Sequence, residues 1–165
     1  MILSKKTREE PDILGAVTAG LIIILIAALL VAIPYLLPSI ITFFLDLVWI
    51  EVTLGIWWWT PSTPAAHLIV YNAIYIFFIG TLIINFVVLV LRVIFRDSYR
   101  RQIESIGGIV MSAGVTWAAY NFNNTYILTQ AFAVFCGWFI VFIGISIIIS
   151  SFGNWLVSYY RKPSH

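Results

Sequence analysis

Polar and apolar residues are segregated along this chain in long blocks. Five apolar stretches, residues 13–33, 36–59, 66–91, 106–120 and 127–160, are separated by short polar ones. A helix needs roughly 20 apolar residues to cross ~30 Å of hydrocarbon, so blocks of this kind predict membrane-spanning helices. The second block differs from the others. It contains "FFLDLVWIEVTLGIWWWTPSTP", with the carboxylates Asp46 and Glu51, three consecutive tryptophans, and Pro61 and Pro64 at its end.

The positions of the cations decide how many blocks cross. Lys5, Lys6 and Arg8 form one cluster, Arg92, Arg96, Arg100 and Arg101 a second, and Arg161 and Lys162 a third, with no Lys or Arg between them. Short segments rich in Lys and Arg stay on the cytoplasmic side, so an even number of crossings must separate any two clusters. Three blocks lie between the first two clusters, and one of them must fail to cross. Each acid costs about 2.5 kcal/mol or more at the bilayer centre, which singles out the block with Asp46 and Glu51.

The expected fold is an all-α polytopic membrane protein, a four-transmembrane-helix bundle with an external interfacial segment between helices one and two. Residues 1–165 form a single integral membrane domain: a cytoplasmic tail (1–12), a first span (13–33), the external segment (34–65), a second span (66–91), a cytoplasmic basic loop (92–105), a third span (106–120), an external turn (121–126), a fourth span (127–160) and a cytoplasmic tail (161–165). Pro34 and Pro38 turn the chain out of the first helix, and Pro61 and Pro64 precede the second. Trp57, Trp58 and Trp59 suit an interfacial belt, where an indole keeps one edge wet. The first apolar run is too long for the core of a signal peptide and is read as a retained helix.

Composition agrees with this plan. The chain is 62% hydrophobic and only 10% charged, where a soluble domain carries about a quarter charged residues. A net charge of +2 gives no reason to expect nucleic acid, and the single Cys136 allows no disulfide framework. Away from their ends the spans contain no acid, Lys or Arg, which argues against proton relays, voltage sensors and ion-coupled carriers.

Few residues remain as candidates for chemistry. His67, Tyr71 and Tyr75 follow at i, i+4 and i+8 and share one helix face, where the tyrosines serve as interfacial anchors with the three tryptophans. Asp46, Glu51 and His67 are all expected outside the membrane and are weak metal candidates. On a regular helix, however, the two acids point about 140° apart, and a single His without a nearby Cys falls short of a zinc site. No catalytic residue and no cofactor, haem included, is expected.

Two further polar stripes, Thr81 with Asn85 and Ser146 with Ser150 and Asn154, suit hydrogen bonds across helix contacts. Gly108, Ser112 and Thr116, with Ala133 and Gly137, have the spacing of close-packed helix ridges. "NFNNTY" carries the sequon Asn123-Asn124-Thr125 on the external side. The arginines of "FRDSYRRQIESIGG" could meet anionic headgroups, although the charge rule alone accounts for them.

The resulting functional expectation is a non-catalytic structural or accessory subunit of a larger membrane complex, of a respiratory or other energy-converting kind. It would sit in the cell membrane with both termini cytoplasmic, its partners the lipid bilayer and other membrane protein subunits. A small homo-oligomeric channel or transporter is the alternative, followed by an outer-surface enzyme or metal site built on Asp46, Glu51 and His67.

Overall fold

A computed structural model describes residues 12–125 and 131–160. The first helix, α1, runs Ile13–Ala32 and is capped by the Asp12 carboxylate, which accepts the Gly15 amide at 2.8 Å. It stops where expected. Ile33 is extended, as a residue preceding proline prefers, and Tyr35 adopts a left-handed φ of 60° that redirects the chain into α2, Leu36–Leu45.

Beyond α2 the external segment is not helical. Strands β1, Leu47–Thr53, and β2, Ile56–Pro61, form an antiparallel hairpin pairing Trp49 with Trp59 and Glu51 with Trp57. β-branched and aromatic side chains dominate both strands and suit a pleated surface. The turn depends on Gly55, whose φ of 78° a Cβ would penalise. The hairpin occupies the expected external segment, and outside it every element among the described residues is helical, as an all-α chain requires.

A short 3-10 turn, Pro64–His67, leads into α3, Leu68–Ile94. Helix α4, Tyr99–Thr125, and helix α5, Ala131–Tyr160, complete the chain. Residues 95–98 alone connect α3 to α4, so the basic loop expected over 92–105 is largely helical. Helix α4 likewise begins before residue 106 and continues past residue 120 through residues 121–125 of the expected external turn; residue 126 of that turn and residues 127–130 of the expected fourth span lie outside the described residues. The tails, residues 1–11 and 161–165, also lie outside them.

Among the described residues, three helical segments are long and apolar enough to cross a membrane: Ile13–Ala32, Pro64–Ile94 and Ala131–Tyr159. Helix α4 is the exception, with Arg100, Arg101 and Glu104 near one end and Asn121, Asn123 and Asn124 near the other. It packs extensively against both α3 and α5, and it buries Ser105, Gly107, Ser112, Val115, Ala118, Ala119 and Phe122. Helix α1 lies at the periphery against α3 and has no buried residue. The apolar core forms at the hairpin end, where Phe43, Tyr71, Val115, Phe122 and Phe135 bring α2, α3, α4 and α5 together.

Candidate functional site

Asp46 ends α2, and the chain returns to it after the hairpin. The Ser62 amide donates to the Asp46 carbonyl at 3.0 Å, while the Ser62 hydroxyl donates to Oδ1. Oδ2 takes the Thr63 amide at 2.9 Å and the Thr63 hydroxyl at 2.8 Å, and lies 2.8 Å from Nε2 of His67. These four partners match the roughly four acceptor sites of a carboxylate. The Ser62 hydroxyl, then His67 and the Thr63 amide, hold the Asp46 carboxyl well below the usual range. The cluster is a latch fastening the base of the hairpin to the start of α3.

His67 is 4% exposed, with the Phe43 ring edge-on at 5.3 Å and Tyr71 at 6.4 Å. Ser, His and Asp therefore meet here, but not in a catalytic order. A nucleophilic serine gives its proton to an imidazole that the carboxylate orients, whereas Ser62 and His67 both address the same carboxylate. Burial of the imidazole also closes it to substrate.

Glu51 does not join this cluster. Its Oε1 accepts the Gly55 amide at 2.6 Å and closes the hairpin turn. The three weak metal candidates thus divide into a bonded pair and a separate carboxylate, and among the described residues no three His, Cys, Asp or Glu side chains form a group that could hold a metal ion.

The aromatic candidates divide as well. Tyr71 is 1% exposed, deep in the core with Phe122 edge-on at 4.6 Å, while Tyr75 lies partly buried 6.3 Å from Tyr120. Trp57 and Trp59 are about half exposed, at 49% and 52%. Trp58 points to the opposite face of the strand and reaches the Cys136 thiol of α5.

The small residues of α4 sit at helix contacts. Ser112 accepts from the Asn85 amide at 2.9 Å and donates to the Gly108 carbonyl at 2.6 Å; Thr116 donates to the Ser112 carbonyl at 2.7 Å. A Cβ on Gly108 would approach Asn85 at 3.1 Å. On α5 the contacts with α4 include positions other than Ala133 and Gly137. Ser146 donates to the Gly107 carbonyl at 2.9 Å, and the Phe142 ring fills the space beside Gly114, whereas Gly137 faces open space. The sequon lies within α4, with the Asn123 side-chain amide donating to Asn72 at 3.2 Å.

Sequence reasoning placed Arg92 in a basic loop, but its side chain is 6% exposed. It donates to the Arg101 carbonyl at 2.7 Å, pairs with Asp12 at 3.1 Å and lies 4.0 Å from Asp97, which binds Arg101 at 3.2 Å. One guanidinium thereby ties the starts of α1 and α4 to the end of α3. Burial raises the Asp12 pKa, but the Gly15 amide and Arg92 outweigh it, leaving the pKa lowered. The position of Arg92 inside the apolar run "FVVLVLRVIF" signals this burial. No protein-family model, curated protein or solved structure matches the chain.

Proposed function

We propose that the chain is a non-catalytic accessory subunit of a larger membrane complex, with α4 as a fourth crossing between α3 and α5. A helix shielded by neighbours on two sides can carry polar ends and an internal Asn85–Ser112 bond without presenting them all to lipid. Four crossings satisfy the charge rule and place the hairpin outside and both termini in the cytoplasm.

The observation that carries this reading is the internal engagement of the polar groups. The Asp46 carboxylate is occupied by Ser62, Thr63 and His67; Arg92 is bound to Asp12 and Arg101; Asn85 and Ser146 hold α4. The groove between α1, α2 and α3, about 300 Å³, is lined wholly by aliphatic and aromatic side chains. A substrate site would need a few convergent polar groups to orient its ligand. A second groove, about 610 Å³, has the polar lining Asp12, Arg96, Asp97, Ser98 and Arg101 at the other end of the molecule, but most of what the helices offer outward is apolar surface, which suits a subunit that holds others.

The test is extraction of the tagged chain from native membranes in mild detergent, followed by sizing and mass spectrometry. Stoichiometric recovery of other membrane subunits is expected, at a size well above one 18.7 kDa chain with its detergent. A monodisperse homo-oligomer that conducts ions in liposomes would instead establish the channel reading.

A further inference from the structure

The pleat of the hairpin sorts its side chains into two faces. Trp49 and Trp59 are directly paired with ring centroids 5.2 Å apart, and two residues along each strand the next pair is Glu51 with Trp57. All four side chains are exposed, and Trp49, Trp57 and Trp59 each leave about half their surface free. Thr60 and Val52, on the other face, are buried against the body of the protein. Three indoles and a carboxylate therefore share one outward face. Only Oε1 of Glu51 is engaged among the described residues, by the Gly55 amide.

We propose that this face docks a cationic side chain, arginine or lysine, presented by a partner protein, an inference that rests on the accessory-subunit reading. Indole faces attract a guanidinium or ammonium through their quadrupole, and the carboxylate supplies the complementary charge. The hairpin is preorganised for this task by the Asp46 latch at its base and the Glu51 bond at its turn.

Charge excludes a second copy as the occupant. Every Lys and Arg of the chain lies within residues 1–8, 92–101 or 161–162. Helix α3 carries the chain about 40 Å from the hairpin end to Arg92. Asp12 pairs with Arg92, and Gly153 packs by Ile103, so the N-terminal tail and the end of α5 start from that same far end. In a copy lying the same way across the membrane, none of the described cations, Arg92, Arg96, Arg100 and Arg101, faces the hairpin. A zwitterionic lipid offers an ammonium, but its phosphate comes within a few ångströms and repels Glu51. A protein side chain brings its cation on an uncharged stem.

The experiment places a photoreactive benzoylphenylalanine at Trp57 in the full chain in native membranes and identifies the crosslinked peptide. The expected product is a segment of another membrane protein that contains Arg or Lys. Glu51→Gln keeps the acceptor for Gly55 but removes the charge, and should lower the yield about tenfold, the worth of one charge-assisted hydrogen bond, without changing thermal stability. Crosslinking to lipid alone or to a second copy, or an unchanged yield with Glu51→Gln, would overturn the proposal while copurifying subunits kept the accessory reading intact. Recovery of the chain alone as a homo-oligomer would remove both.

Discussion

At the residue scale, two ionic groupings hold opposite ends of the molecule. The Asp46 pKa is lowered in the folded state, so its contribution to stability is present above the unfolded value of about 3.9 and is lost as pH falls toward the folded value. The melting temperature in detergent should therefore drop on acidification below about pH 4. Asp46→Asn should remove part of that slope, because an amide does not titrate, and should lower the melting temperature at neutral pH, because its NH2 cannot accept from the partners on one of the two carboxylate oxygens. At the far end, Arg92→Met removes the charged hydrogen bonds to Asp12 and to the Arg101 carbonyl, while Asp97 keeps Arg101, and should cost about 1.5–3 kcal/mol in denaturant unfolding. Arg92→Lys should restore only part of this loss, since a single ammonium cannot reproduce the forked contacts to Asp12 and the Arg101 carbonyl. Asn123 already donates to Asn72 from within a helix, so Asn123→Gln should leave electrophoretic mobility unchanged in a glycosylating host.

At the element scale, the apolar blocks foretold closely the three described segments long and apolar enough to cross a membrane, because lipid imposes a length and a composition that sequence cannot hide. The hairpin was harder to read. Its strands are apolar enough to pass for membrane sequence, yet "VWIEVTLGIWWWT" is rich in β-branched and aromatic residues around a Leu-Gly turn, the local mark of a hairpin. Placing Asp46 and Glu51 on one regular helix hid that mark, and with it the separation of their roles. Asp46 and His67, 21 residues apart, meet only because the hairpin returns the chain to its own base, a closure that no helical periodicity encodes. Gly55→Val tests the turn: a β-branched residue at φ 78° should cost roughly 1 kcal/mol or more and weaken the hairpin. A loss of partner recovery with an unchanged helix content by circular dichroism is the expected pattern.

At the scale of the whole molecule, packing inside the chain and packing between chains fall on different glycines. Gly114 faces the Phe142 ring so closely that no added carbon fits between them, whereas Gly137 and Gly144 on α5 have no neighbouring element among the described residues within 4 Å of an added Cβ. Gly114→Leu must therefore push α4 from α5 and should destabilise the isolated chain by several kcal/mol, as overpacking of a close contact does. Gly137→Leu should change the stability of the isolated chain by no more than about 0.5 kcal/mol, the range of a substitution that touches nothing. In a complex the two need not differ. If α5 lays this small-residue face against a neighbouring subunit, Gly137→Leu holds the two backbones apart and partner recovery falls while the monomer melts normally. Labelling fixes the frame for that comparison: with Cys136→Ala as background, Leu54→Cys at the hairpin tip should react with an impermeant maleimide on intact cells, and Arg100→Cys only after permeabilisation. Unchanged recovery of partners with Gly137→Leu would assign this face of α5 to lipid and leave the hairpin as the surface through which the chain meets its neighbours.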